Sequence, residues 1–326
     1  MAVGKVVVLT RGGMDKDVKD IFMSATPKGW QPVWADINEG EVKVAKEIED
    51  AEYLLVSGGL VPQKLIENAK KLKLIQASGQ DTGHIPVKYA LEKGIPVANS
   101  GGANAIAVSE YVLCAILNCM KRTLQYNQGI REGKWRINLD AKNQFELFNK
   151  TVGIVGFGNI GRKVAQICYD GFGANILYYE RNFVPYALRA DMKAKPVSLE
   201  ELLRQSDIVS IHIPSFTANK ALIGWEQLTI MKPTAYLINT SRGVNIDEKA
   251  LIRALNERKI AGAAIDVWDP EPPSADNPLL NMPNVFATPH IAGNSWDNVP
   301  LRYETIWRNI ILVSEGKEPL NRIVEF

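Results

Sequence analysis

The sequence predicts an α/β protein made of two doubly wound units, and three observations predict it. Short apolar runs alternate with amphipathic segments along nearly the whole chain. An apolar run at 151–155 leads straight into Gly156-x-Gly158-x-x-Gly161 and a helical pattern. The length of 326 residues suits about two domains.

In chain order, strands are expected at 5–10, 32–35, 53–57, 74–77 and 96–99, with helices at 41–49 and 62–70 between them. A long amphipathic helix is expected at 103–122 and a second at 124–132. A new strand series follows at 151–155, 176–179, 207–213, 235–239, 262–266 and 285–287, and a last helix at 299–315. No internal repeat stands out. That last helix has no place in the second series, so it is expected to return to the first unit. The first domain is then discontinuous, residues 1–102 plus 292–326, and 103–291 form the second. The two crossovers, near Gly101-Gly102 and Ala292-Gly293, would act as a hinge, with a ligand cleft between the domains.

The glycine motif sits in the context that dinucleotide binding requires: strand, tight turn, helix, second strand, acid. Gly156 permits the turn, Gly158 lets a pyrophosphate approach the backbone, and Gly161 lets the helix lie close to the sheet. The helix N-terminus presents unpaired N–H groups and a positive dipole end to phosphates. Glu180, ending the second strand, suits the ribose hydroxyls and opposes a 2′-phosphate, so NAD is expected rather than NADP. Arg181 beside it is the residue that could reverse that preference. The second domain therefore reads as Rossmann-like.

Bulk properties exclude several classes. With 46% hydrophobic and 23% charged residues the chain reads as globular, and a net charge of +2 gives no footprint for nucleic acid or an anionic membrane. The run Val6-Val7-Val8-Leu9 is too short for a signal peptide or a membrane span. Cys114, Cys119 and Cys168 show no metal-ligand spacing, and Cys114 and Cys119 are expected as core thiols. No metal is expected, and a cytoplasmic location is.

Three further segments, each just after an expected strand, carry chemistry: Asn239-Thr240-Ser241-Arg242-Gly243, Asp266-Val267-Trp268-Asp269-Pro270-Glu271 and Thr288-Pro289-His290. Strand carboxyl ends rim the ligand crevice of an open α/β sheet. An arginine fork can hold a carboxylate. A histidine can donate a proton to a carbonyl oxygen that becomes a hydroxyl. A carboxylate can orient that ring and favour its charged form. Singly, Arg242 reads equally as a surface ion pair, Glu271 as a solvated loop acid and His290 as structural. Together they form what hydride transfer to a 2-keto acid needs. With three histidines in the chain, His84 and His212 are the rival donors.

These blocks, with His212-Ile213-Pro214 and Met231-Lys232-Pro233, make the chain resemble the D-isomer-specific 2-hydroxyacid dehydrogenase family over nearly its full length. The resemblance implies hydride exchange between NADH and C2 of a 2-keto/D-2-hydroxy acid. Arg242 would bind the substrate carboxylate and polarise the carbonyl, His290 would be the acid/base and Glu271 its partner. Asp266 would contact the nicotinamide carboxamide. Asn159 and Ile160 would meet the pyrophosphate, and His212, Pro214, Thr240 and Ser241 would line the cofactor with His290. The family also implies a homodimer. Its formate dehydrogenases place glutamine where Glu271 stands, which argues against that activity. Its corepressor-like, NAD-sensing members offer a binding-protein alternative.

Departures from the family pattern lie in the first domain. Where members carry a Gly-x-Gly-x-Asp-Asn loop, this chain has Gly79-Gln80-Asp81-Thr82-Gly83-His84. Gly79 and Gln80 remain the expected carboxylate holders. Two carboxylates about 4 Å apart repel by roughly 4 kcal/mol at an effective dielectric near 20, so Asp81 is expected to turn away from a substrate carboxylate or read a substrate hydroxyl. A changed loop with the same backbone clamp is the plainer reading. Ser109 and Asn219 replace a usual alanine and a common threonine. The loop Ser57-Gly58-Gly59-Leu60 has no Lys or Arg, and no regulatory domain is expected after Phe326, so a small or medium non-phosphorylated acid is expected, with 3-phosphoglycerate as the alternative. Trp135 and Trp296 are expected in the core rather than walling a pocket.

Overall fold

The computed structural model describes residues 4–135, 144–214 and 221–324; Asn219 lies outside them. The chain divides into two compact units, Met1–Asn104 with Ser295–Phe326, and Ala105–Asn294.

The first unit is a five-stranded parallel sheet, β1 (Val6–Thr10), β2 (Val33–Asp36), β3 (Tyr53–Val56), β4 (Leu74–Ala77) and β5 (Val97–Ala98), in the order β2-β1-β3-β4-β5. Its strands are buried on both faces, which is why they read as continuous apolar runs. Successive side chains alternate between faces. Val7, Leu9, Leu54 and Val56 pack beneath α2 (Glu41–Ile48), α3 (Gln63–Asn68) and α4 (Val87–Glu92). Val6, Val8, Tyr53 and Leu55 face α1 (Lys16–Ala25) and the last helix, α11 (Asn298–Ser314), through Phe22, Tyr303 and Trp307. The buried Asn309 of α11 donates to Gln76 Oε1 at 2.8 Å, so a polar pair crosses this layer satisfied.

The second unit begins with α5 (Ala105–Lys121) and α6 (Thr123–Arg131). Its seven parallel strands are β6 (Thr151–Val155), β7 (Asn175–Tyr179), β8 (Lys195–Pro196), β9 (Ile208–Ile211), β10 (Tyr236–Asn239), β11 (Gly262–Ile265) and β12 (Val285–Ala287). Their order is β12-β11-β10-β9-β6-β7-β8. The chain therefore leaves β6 in one direction and returns to its other side with β9. The gap between those strands is the switch point where ligands of such sheets bind. Helices α5 and α7 (Asn159–Phe172) cover one face; α8 (Leu199–Gln205), α9 (Trp225–Thr229) and α10 (Glu248–Asn256) cover the other.

The units share a device that the sequence does not show as a repeat. In the first, Asp36 at the end of β2 accepts the Gly13 N–H of the turn after β1 at 2.5 Å. In the second, Glu180 just after β7 accepts the Phe157 N–H of the turn after β6 at 2.9 Å. An acid closing the neighbouring strand pins each strand-to-helix turn.

Three expectations fail. Cys114 is exposed, because on α5 it points about 200° away from the buried Val112. Cys119 is half-buried and Cys168 buried, and burial pushes both thiols up to about 12. Trp135 and Trp296 are 77% and 58% exposed; they lie in irregular segments after α6 and before α11, where among the described residues no layer closes over the rings. Among the described residues no helix is long and apolar enough to cross a membrane.

Candidate active site

The turn after β6 has the steric logic of a nucleotide cradle. Gly156 has φ +95°, and a Cβ there would stand 2.6 Å from the His212 carbonyl oxygen. A Cβ at Gly161 would collide with the Gly156 carbonyl oxygen, so the helix approaches this closely only without one. At Gly158 nothing lies within 4 Å, leaving open space beside the backbone. Gly158 caps α7 without a side-chain bond, and no acid stands in the first turn to oppose an anion at the positive end of the helix. Glu180 accepts from Phe157 N–H at 2.9 Å and from Arg181 N–H at 2.8 Å, and Arg181 itself is exposed. Among the described residues the buried Thr240 hydroxyl oxygen has no partner. A tight glycine turn, a helix N-terminus without an acid and a buried hydroxyl fit a dinucleotide.

Arg242 follows β10, and its loop is held from below. The buried Asn239 donates to the Arg242 carbonyl at 2.9 Å and accepts from the Ser241 N–H and hydroxyl at 3.0 and 2.7 Å. Asn245, also buried, donates to Ser241 Oγ at 3.0 Å and to the Ile213 carbonyl at 3.2 Å. The guanidinium Nη1 donates to the Ser241 carbonyl at 2.5 Å.

His290 and Glu271 meet. His290 Nδ1 lies 2.8 Å from Glu271 Oε2, and both residues are exposed. Glu271 Oε1 accepts the Trp268 N–H at 3.0 Å, which fixes the carboxylate. With Nδ1 engaged, Nε2 is the ring atom left to exchange a proton with a substrate. His290 adopts φ +56°, and its N–H donates to the Asp266 carbonyl at 2.7 Å.

Asp266 is 1% exposed, and its carboxylate serves the loop that carries His290. Oδ1 accepts the Thr288 hydroxyl at 2.6 Å and the Ile291 N–H at 2.8 Å; Oδ2 accepts the Ala292 N–H at 2.8 Å. Thr288 Oγ1 also bonds the Tyr111 hydroxyl from α5, and burial pushes that phenol up, so it stays protonated.

Trp268 joins the three segments. Its indole N–H donates to the Thr288 carbonyl at 3.0 Å, its backbone N–H holds Glu271, and Gly243 packs so closely on it that a Cβ would strike its carbonyl carbon. Sequence reasoning missed Trp268, Asn239, Asn245 and Tyr111 as supports. The visible signal was that each asparagine and the tryptophan flanks a strand end beside a reactive residue.

The rival histidines differ. His212 Nε2 lies 2.8 Å from Ser210 Oγ, and burial pushes its imidazole down to about 3, so it is neutral and unfit to donate a proton. Pro214 is exposed just after it. His84 belongs to the first unit, where its carbonyl accepts the Val61 N–H at 2.9 Å. In that unit Gly79 and Gln80 are half-buried, with open space beside Gly79. The Asp81 carboxylate accepts the Gly83 N–H at 3.1 Å. Among the described residues no group of three or more His, Cys, Asp or Glu could hold a metal.

Residues 113–292 match the family described as D-isomer specific 2-hydroxyacid dehydrogenase, NAD binding domain. The chain belongs to this family. It is 34% identical to a glyoxylate reductase of Korarchaeum cryptofilum over 295 residues, 89% of this chain and 88% of that one. It is 38% identical to a D-3-phosphoglycerate dehydrogenase of Methanocaldococcus jannaschii over 264 residues, 77% of this chain but 49% of that one, so it spans about half of that relative. The crystal structure of the TT0316 protein of Thermus thermophilus superposes with a TM-score of 0.82 at 30% identity, covering 98% of this chain and all of the other. The family's second domain is an NAD-binding domain, and so is this chain's.

Proposed function

We propose that this protein is an NAD-dependent D-2-hydroxyacid dehydrogenase acting on a small or medium 2-keto/2-hydroxy acid. The observation that carries this reading is the exposed His290–Glu271 pair at 2.8 Å on the carboxyl edge of the sheet that holds the glycine cradle. The residues 105–294 would bind NAD and the discontinuous unit would recognise substrate. Bound NADH supplies the hydride. Arg242 grips the substrate carboxylate and stabilises charge growing on the carbonyl oxygen. Gly79 and Gln80 offer main-chain N–H groups to a substrate carboxylate. Protonated His290 delivers its Nε2 proton to that oxygen in reduction and recovers one in oxidation, while Glu271 holds the ring. Gly156, Gly158, Asn159, Ile160 and Gly161 hold the pyrophosphate. Glu180 and Arg181 hold the adenosine end. His212, Pro214, Thr240, Ser241 and Asp266 frame the nicotinamide end.

The free thiols suit the reducing cytoplasm. Exposed Ile106, Leu124 and Ile130 on α5 and α6 support a homodimer, which light scattering would test.

The deciding experiment is turnover of 2-keto acids with NADH by the wild type and Arg242→Lys. Lysine keeps the charge and loses the bidentate fork. The variant should lose at least about 100-fold in kcat/KM, or roughly 2.7 kcal/mol, with NADH affinity within about threefold. Near-wild-type turnover in Arg242→Lys would remove the arginine's role. Absence of turnover in the wild type would remove the activity.

A further inference from the structure

The loop after β3, Ser57-Gly58-Gly59-Leu60, contains no cation of its own, but the structure lays one across it. Arg11, in the turn after β1, runs its stem over the two glycines. A Cβ built at Gly59, whose φ is +81°, would lie 3.4 Å from Arg11 Cβ and 3.6 Å from its Cδ, and one at Gly58 would lie 3.8 Å from Arg11 Cβ. These are van der Waals distances, so the arginine's stem passes alongside the two glycines. Arg11 is exposed, and among the described residues its guanidinium makes no hydrogen bond or ion pair. Asp36, at the end of the adjacent β2, spends its oxygens on the N–H groups of Gly13 and Asn38 at 2.5 and 2.8 Å.

Arg11 also stands on the edge proposed to meet substrate. In the first sheet β1 neighbours β3 and β3 neighbours β4, so the three following loops are consecutive along one carboxyl edge. The Val61 N–H to His84 carbonyl bond, 2.9 Å, ties the β3 loop to the Gly79–Gln80 loop. Two strand spacings separate the β1 and β4 loops, about 10 Å. The Arg11 stem lies beside the β3 loop, which stands between them.

We propose that Arg11 forms a second anion subsite and selects 2-keto acids whose far end carries a carboxylate or a phosphate. This rests on the dehydrogenase reading above, with the first carboxylate at Gly79 and Gln80. It replaces the expectation, drawn from the cation-free β3 loop, that a second anion finds no partner. A planar guanidinium fork suits either oxyanion.

The test is steady-state reduction by the full chain with NADH. Glyoxylate and pyruvate represent single anions, oxaloacetate and 2-oxoglutarate a second carboxylate, and phosphohydroxypyruvate a phosphate. At least one of the last three should exceed pyruvate in kcat/KM by tenfold or more. Arg11→Gln should cut that preference at least tenfold, chiefly through KM, and Arg11→Lys should retain part of it. Which doubly charged acid leads identifies the anion as carboxylate or phosphate. A wild type that prefers the single anions, or an Arg11→Gln variant that slows all acids by one factor, overturns the subsite and leaves the dehydrogenase reading standing. No turnover of any of the five acids overturns both.

Discussion

Asp266 holds His290 in a left-handed backbone conformation: its carbonyl accepts the His290 N–H at 2.7 Å, and its carboxylate takes the next two N–H groups, of Ile291 and Ala292, at 2.8 Å each. A non-glycine residue at φ +56° costs on the order of 1–3 kcal/mol, so it persists only where its surroundings over-determine it. Three successive N–H groups anchored on one buried residue do so. The family resemblance places Asp266 beside the nicotinamide carboxamide, and its oxygens also hold the histidine loop.

Asp266→Asn should therefore act on the loop. An amide nitrogen would face an N–H that needs an acceptor, leaving a buried donor unsatisfied at about 1–3 kcal/mol. Urea denaturation should show a loss of that order, and kcat should fall at least tenfold while NADH affinity changes less. A variant with wild-type stability and kcat but weakened NADH binding would return Asp266 to the cofactor and end the clamp.

The His290–Glu271 pair gives a second prediction. His290→Ala removes the proton donor and should cost about 100- to 10,000-fold in kcat/KM. Glu271 holds the ring through Nδ1 at 2.8 Å and is itself fixed by the Trp268 N–H. Glu271→Ala frees the ring to turn and should cost at least about tenfold in kcat, while Glu271→Gln, which can still bond Nδ1, should retain part of the rate. Steady-state rates in both directions test this, and wild-type kcat in Glu271→Ala would rule out the positioning role.

Much of this arrangement was legible because parallel strands buried on both faces leave unbroken apolar runs, as at Tyr53–Val56 and Leu74–Ala77. Reactive residues just beyond such runs fall on the ligand edge by topology alone, which is how Arg242, Glu271 and His290 could be grouped. Helix α1 escaped notice because of its ten residues only Phe22 is buried, so polar residues mask the stripe. Strand β8 escaped because Lys195–Pro196 has neither length nor apolar character. The supports of the site were hidden by distance along the chain: Tyr111 reaches Thr288 across 177 positions, and no local pattern announces such a bond. Trp135 and Trp296 were misread because bulk and apolarity predict burial only where a layer exists to cover them.

Glu180 does two jobs that one substitution can separate. Its Oε2 pins the Phe157 N–H in the glycine turn, and its charge opposes a 2′-phosphate. Glu180→Gln retains an oxygen for the Phe157 N–H and loses the charge. The wild type should favour NADH over NADPH by at least tenfold in kcat/KM, and Glu180→Gln should narrow that ratio several-fold with little change in melting temperature. Equal use of both cofactors by the wild type would mean that Arg181 governs the choice.

His212 offers a test in the stability of the protein rather than its rate. Burial pushes its imidazole down to about 3, whereas in an unfolded chain a histidine titrates near 6.5. Between those values the unfolded state binds one proton more than the folded state. Stability then rises with pH, by at most about 1.4 kcal/mol per unit from this group. Its contribution is fully present above roughly pH 6.5 and drains away as pH falls towards 3. Carboxylates titrate over the lower part of that window, so the comparison must be between variants. His212→Asn can still meet Ser210 Oγ, which lies 2.8 Å from the native ring nitrogen, but does not titrate. The wild type should be the more stable protein at pH 7, because it keeps its native packing, and its advantage should shrink steadily in urea titrations from pH 7 to pH 4. A constant difference across that range would mean that the ring protonates alike folded and unfolded. His212 would then return as a rival to His290 for the catalytic proton.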